Sequence, residues 1–300
     1  MIDVLAPIAL FVYNRLEHLK QTIGALKKNY LATKSDLFVY SDGAKFTSHQ
    51  DSVNEVRKFI RSIEGFKTIK IVESRRNIGL ANSIVTGVSD VLKQYGSIIV
   101  LEDDLITSPY FLVFMNEALK KYHLNESVAS IHGYVYPVKE KMPETFFLKD
   151  TGSWGWATWV RGWKLFEPNG QKLLKEIRAR RLTNCFDFNG SYPFTKMLEN
   201  QIKGKNDSWA IRWQASAFLN DKLTLYPGIS LVENIGHDSS GAHCDSTDVF
   251  ETHLAEQKIN IEDIPIEENQ HARKAYEMYF RSIKKSYYQR VKEKLKSFVR

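Results

Sequence analysis

Two rhythms of apolar residues alternate along the first third of the chain. Ile8-Ala9-Leu10-Phe11-Val12 is a short unbroken apolar run, and Leu16, Leu19, Ile23 and Leu26 then recur at the spacing of one helical face. Leu37-Phe38-Val39-Tyr40 repeats the run, followed by a helical stretch from about Asp51 to Ile63. Ile69-Lys70-Ile71-Val72 makes a third strand, a helix reaches from the Asn77-Ile78-Gly79 turn to about Tyr95, and Ser97 to Leu101 closes the series as a fourth strand. Strands separated by helices of roughly 10–15 residues predict βαβ units: an α/β, Rossmann-like fold with a mostly parallel central sheet flanked by helices. Right-handed crossovers bring the carboxyl ends of such strands to one edge, where open sheets of this kind take their ligands.

After about residue 140 glycine, aromatic and polar residues replace that regularity. Helical spacing returns at Gln171 to Arg180, Phe194 to Ile202 and Trp209 to Phe218. Residues 1–250 are expected as one domain, with a seam near residue 140 that divides it into segments 1–140 and 141–250, followed by a helical extension over 251–300. Between Arg281 and Arg300 eight Lys or Arg face the single acidic Glu293, while Ile283, Tyr287, Val291, Leu295 and Phe298 keep a helical period. This predicts a C-terminal basic amphipathic helix, which either docks its stripe on the domain, forms a subunit interface or lies on an anionic bilayer.

Composition narrows the class. A 300-residue chain that is 43% hydrophobic, with 17 Phe, 14 Tyr and 6 Trp, has the apolar area for a substantial core, which excludes a disordered chain. Cys185 and Cys244 alone do not make a disulfide framework. No signal-peptide pattern and no window of 18 apolar residues is present, so a cytoplasmic protein is expected. The net charge of +7 is not interleaved with a recognition module, so nucleic acid is not an expected partner.

The chemistry concentrates at the predicted strand ends. Glu102-Asp103-Asp104 follows the fourth strand directly, and such a cluster suits Mg2+ or Mn2+ carrying phosphate oxygens, the alternative being a solvated acidic turn. Asp42, before Gly43, either accepts from a base or ribose or caps the next helix. Arg75 and Arg76 suit a diphosphate, or surface pairing with Glu64 or Glu73. Asn77 and Gly79 allow close backbone approach. Neither a P-loop nor a GxGxxG fingerprint occurs. Gly152-Ser153-Trp154-Gly155-Trp156-Ala157-Thr158-Trp159 reads as an aromatic wall for a sugar, from Trp154, Gly155 and Trp156, or as core; Trp209 joins it from the helix it opens, Trp209 to Phe218. Asp207, at that helix start, is an N-terminal carboxylate or a general base. His237 and His243, with Asp238 and Cys244 nearby, lie in a Gly- and Ser-rich stretch that serves either as an ordinary loop or as a flap carrying a histidine toward a diphosphate or metal; the spacing is poor for structural zinc.

In order and content these residues resemble nucleotide-sugar-dependent glycosyltransferases of the GT-A fold, in particular family 2-like bacterial enzymes and the animal N-acetylglucosaminyltransferase I group. Glu102-Asp103-Asp104 stands where that family has its Asp-x-Asp motif, departing from it by beginning with Glu102. The resemblance, over residues 5 to 245, implies Asp104 as metal ligand, Asp103 near ribose or metal-bound water and Glu102 near the base or sugar, with His237 of the flap the candidate second metal ligand. It implies donor contacts from Asn14, Arg15, Asp42, Arg75, Asn77 and Gly79, and Asp207 as the base of an inverting reaction. Residues 1–140 would then bind the nucleotide sugar and 141–250 the acceptor. A Mn2+ or Mg2+ cofactor, a UDP-linked donor, and a glycan or lipid-linked saccharide acceptor at the inner face of the plasma membrane are implied, in bacterial surface polysaccharide synthesis such as lipopolysaccharide O-antigen or capsule. Retaining transfer, nucleotidyl transfer and a non-catalytic carbohydrate-binding scaffold are the competing readings.

Overall fold

The computed structural model describes residues 5–238 and 248–297, as backbone alone from residue 285 onward. Eight strands form the main sheet: β1 (Ile8–Val12), β2 (Asp36–Ser41), β3 (Thr68–Glu73), β4 (Ser97–Glu102), β6 (Val128–His132), β7 (Thr145–Leu148), β8 (Trp156–Trp159) and β9 (Leu223–Pro227). A separate two-stranded ribbon pairs β5 (Leu105–Thr107) with β10 (Val232–Asn234). The main-sheet order is β3-β2-β1-β4-β8-β6-β9-β7, with β8 and β7 running against the other six. The expected α/β architecture with a mostly parallel sheet is therefore present, and the four amino-terminal strands lie within a residue or two of their predicted bounds.

The two faces of the sheet bury different helices because successive strand residues point to opposite sides. Ile8, Leu10, Leu37, Val39, Ile99 and Leu101 pack with α1 (Leu16–Lys27), α2 (Gln50–Ile60) and α4 (Phe111–Lys121). Ala9, Phe11, Phe38, Ile98 and Val100 pack on the other face against α3 (Leu80–Tyr95), α5 (Val160–Trp163) and α9 (Trp209–Leu219). A third core joins α6 (Gly170–Ala179), α7 (Thr183–Phe186), α8 (Phe194–Ile202) and α10 (Gln270–Ser297) to β7 and β9 through Phe146, Phe186, Leu198, Tyr226, Tyr276 and Phe280.

Two segments differ from the sequence expectation. The tryptophan-rich block is core rather than wall over most of its length: Trp156–Trp159 is an interior antiparallel strand between β4 and β6, so Trp156 is fully buried with Trp163, Trp209 and Trp213 around it. The helical extension expected over 251–300 begins only at Gln270, ahead of the basic stretch from Arg281, and its first turns bury Ala272, Ala275, Tyr276 and Phe280 in the third core. Side chains of Tyr287, Val291 and Leu295, and residue Phe298 altogether, lie outside the described residues. Among those described, no helix is long and apolar enough to cross a membrane.

Candidate active site

Parallel pairing of β1 with β2 and β4, and of β2 with β3, delivers the loops after all four strands to one edge. Arg15, at the entrance of α1, turns its guanidinium onto the acidic loop after β4: Nη2 donates to Asp103 Oδ1 at 2.5 Å and to Asp104 Oδ2 at 2.7 Å. The Tyr13 N–H donates to the second oxygen of Asp103, and Thr22 Oγ1 to its carbonyl. Burial pulls the Arg15 pKa down, but Asp103 and Asp104 together push it further up, so the guanidinium stays charged. Burial raises the Asp103 carboxyl against the pull of Arg15. Glu102 is pushed up to about 8, by burial first and then by Asp104 and Asp103. Three adjacent acids with one arginine cannot all be comfortably ionised in this environment, and burial beside two carboxylates favours the protonated form of Glu102.

The loops after β2 and β3 are locked to each other. Asp42 is buried, and its carboxylate accepts from the backbone N–H groups of Gly43 at 2.8 Å, Ile78 at 3.0 Å and Gly79 at 2.9 Å. Asn77 Nδ2 returns a bond to the Gly43 carbonyl. A Cβ at position 43 would lie 2.5 Å from the Arg76 carbonyl carbon, so only glycine lets the two loops approach this closely. Arg57 of α2 ties the same ends, donating to the Asp42 and Ser74 carbonyls and to Ser41 Oγ. Asp42 is thus the clamp of the 77–79 turn, with a wider span than a helix cap. Arg75 and Arg76 are exposed beside it and make no ion pair among the described residues.

The small ribbon supplies the other wall. Because β5 follows the acids directly and pairs Leu105 with Asn234, the chain leaving β10 runs beside Asp104, whose carbonyl accepts from the Ile235 N–H. Gly236 packs on the carboxylate itself, since a Cβ there would fall 2.2 Å from Asp104 Oδ2 and 3.1 Å from Arg15 Nη1. His237 comes next. Its ring stands edge-on to Trp154, with centroids 5.2 Å apart, and against Phe250 at 4.9 Å. Its Nε2 is buried with no hydrogen-bond partner. Burial lowers the His237 pKa, with Asp104 opposing, which keeps the imidazole neutral and able to ligate. His243 and Cys244 lie outside the described residues.

Asp207 stands at the start of α9, beside the 77–79 turn. Its side chain is 63% exposed, pairs with Arg212 at 3.5 Å, and reaches to within 3.8 Å of where a Cβ on Gly79 would be. Ser208, not Asp207, caps α9, its oxygen accepting from the Ile211 N–H. Asn14 is half-buried on the β1 loop.

Of the aromatic wall, Trp154 alone borders the site, where it also meets Tyr134 at 4.6 Å. Gly155 turns the chain away at φ +66, and Val232 occupies the space where its side chain would be. Trp156 and Trp209 do not face a ligand: at 0% and 3% exposure they stack on each other in the core beneath the loop. The sequence pattern could not separate the two roles, because a strand interior and a sugar platform both favour tryptophan. Tyr13, Arg57, Gly236 and Phe250 were not singled out by sequence. Only Gly236 carries a local signal, a glycine leaving a strand; the other three act through contacts distant along the chain.

A divalent cation with a diphosphate needs only one or two protein ligands besides phosphate oxygens and water. Asp104 and the unpartnered Nε2 of His237 provide a donor set of that kind, although no group of three or more His, Cys, Asp or Glu is assembled among the described residues.

No family model and no curated protein sequence matches the chain. Similar solved structures include S. aureus TarS, 13% identical over 47% of this chain and 24% of that one, with a TM-score of 0.34. S. aureus TarS 1-349 is 12% identical over 75% of this chain and 59% of its own, with a TM-score of 0.43. The mannosyltransferase PcManGT from Pyrobaculum calidifontis, in complex with GDP-Man and Mn2+, is 11% identical over 72% and 75%, with a TM-score of 0.37. At these scores the likeness assigns neither family nor activity, and the chain's reading rests on its own site.

Proposed function

We propose that the chain is a glycosyltransferase of GT-A type, moving a sugar from a nucleotide-sugar donor to a hydroxyl of a glycan or lipid-linked saccharide with inversion. The observation that supports this most is that three separately delivered groups lie at the ligand edge of the sheet: the Arg15-Asp103-Asp104 cluster, the Asp42-clamped turn at 77–79, and Asp207 beside that turn.

In this reading the diphosphate lies between the acidic loop and the exposed Arg75, with Asn14, Asn77 and Gly79 lining the nucleotide and Glu102 near the base or donor sugar. Asp104 and His237 would hold Mn2+ or Mg2+, which when bound neutralises charge on the departing diphosphate. Asp207 takes the proton from the acceptor hydroxyl as its oxygen bonds to the anomeric carbon and the bond to the diphosphate breaks on the opposite face. Exposure of Asp207 leaves it open to an acceptor. Trp154 offers the acceptor-side ring. A UDP-sugar is the first donor to test, and bacterial surface polysaccharide the first pathway. The basic excess of the sequence from Arg281 onward, beyond the docked turns of α10, supports contact with the anionic inner face of a membrane.

The test is release of nucleoside diphosphate from UDP-, GDP- and dTDP-sugars with Mn2+ or Mg2+. Turnover of one donor, lost with EDTA and with Asp104→Asn, supports the proposal. Absence of binding of every nucleotide and nucleotide sugar counts against it.

A further inference from the structure

Arg15 holds one carboxylate oxygen of each aspartate that a cation would use. One nitrogen, Nη2, bridges Asp103 and Asp104, and Gly236 packs on Asp104 and Arg15, where a Cβ would fall 2.2 Å from Asp104 Oδ2 and 3.1 Å from Arg15 Nη1. The arginine side chain is 18% exposed, so the guanidinium has a route outward, whereas the carboxylates are more deeply set, at 7% and 12%. A divalent cation placed at Asp104 while Arg15 stays would bring like charges together in a poorly solvated place, a repulsive arrangement. A guanidinium released toward the cleft meets the group it pairs with best, a phosphate taken by two parallel N–H donors.

We propose that Arg15 is the standing counter-ion of the acidic loop and is exchanged for the divalent cation as a nucleoside diphosphate arrives, turning from Asp104 to the phosphates. The cation then binds weakly alone and tightly with nucleotide. Loading is coupled through a single side chain. This rests on the donor-site reading above.

The experiment is a Mn2+ titration followed by EPR of the free ion, on the full chain, alone and with saturating UDP or GDP. In the wild type nucleotide tightens Mn2+ binding at least tenfold. Arg15→Gln binds Mn2+ alone at least tenfold more tightly than the wild type, with the nucleotide effect reduced by the same factor. Arg15→Lys, which keeps the charge but not the fork, falls between the two; the wild-type arm stands even where a variant does not fold. Unchanged or weaker Mn2+ binding by folded Arg15→Gln, or a wild type indifferent to nucleotide, overturns the exchange. Nucleotide held equally well in EDTA also overturns it, making Arg15 a permanent substitute for the metal while leaving the transferase reading intact. Failure of the wild type to bind either nucleotide, with or without Mn2+, overturns both.

Discussion

Replacing Asp42 by alanine separates a clamp from a ligand contact. The carboxylate serves three backbone N–H groups, those of Gly43, Ile78 and Gly79, at 2.8 to 3.0 Å. A hydrogen bond to a charged group contributes about 1.5–3 kcal/mol, and a buried donor left unpaired costs about 1–3 kcal/mol. Ile78 and Gly79 are half-buried, so water recovers some of the loss. About 1 kcal/mol per donor is the reasonable share, which gives a destabilisation of about 2–4 kcal/mol and a fall in Tm of about 5–10 °C. Asp42→Asn, which keeps one carbonyl oxygen but turns an amide toward some of the same donors, loses roughly half as much. Urea melts followed by tryptophan fluorescence give the stability, and titration with UDP or GDP in Mn2+ gives the binding. The clamp predicts that both suffer together, with nucleotide affinity weakened at least tenfold (~1.4 kcal/mol) because the 77–79 turn is no longer held. Weaker nucleotide binding with a stability change below about 0.5 kcal/mol would refute the reasoning and make Asp42 a contact to the base alone.

Trp156→Ala removes a fully buried ring and is expected to destabilise the chain by about 3–5 kcal/mol, whereas Trp154→Ala, at the rim, costs less stability and instead raises the acceptor KM. Equal stability losses in urea melts would contradict that division. Asp150 is buried beside Tyr226 and pushed up to about 6 from 3.8, chiefly by burial, so its favourable contribution is present below pH 4 and lost as pH rises through about 6. Asp150→Asn should therefore gain on the wild type by about 2 kcal/mol between pH 4 and pH 7, and pH-independent differences in urea melts would contradict it. His132 has the opposite sign: burial lowers it to about 3, so its contribution is present above pH 6.5 and lost as pH falls. In His132→Gln the loss of stability on acidification from pH 6.5 to 4 should be smaller than in the wild type, by an amount on the order of 3 kcal/mol, readable in the same melts.

Legibility followed the range of the interactions. β1 to β4 were readable because each is an apolar run bounded by turn residues, and their parallel order then placed Arg15, Asp42 and the acidic loop at one edge. β8 was not readable. Gly152 and Gly155 interrupt both helix and strand periodicity beside Trp156 to Trp159, and only the pairing with β4 and β6 settles the matter. The start of α10 was hidden by the polar Gln270 and Lys274, which share its first turns with the buried Ala272 and Tyr276. In the site, the acidic triplet was visible as a cluster. Its engagement by Arg15, 88 and 89 residues away, was not, because no local pattern encodes a contact across that distance. Arg57 is the same case, a helix arginine that reads as solvent-facing until its bonds to Asp42 and Ser74 are seen.

The central claim is that Asp207 and the acidic loop serve one reaction from opposite walls of one cleft, and a paired measurement on Asp207→Asn tests it most directly. Donor turnover and nucleotide affinity would be determined on the same preparation, in Mn2+, with wild type alongside. Loss of a positioned base predicts turnover reduced by about 10²–10⁴-fold with nucleotide affinity within about threefold of the wild type. Turnover that survives the substitution would remove Asp207 from the chemistry and with it the assignment of this cleft as the place where the acceptor is activated.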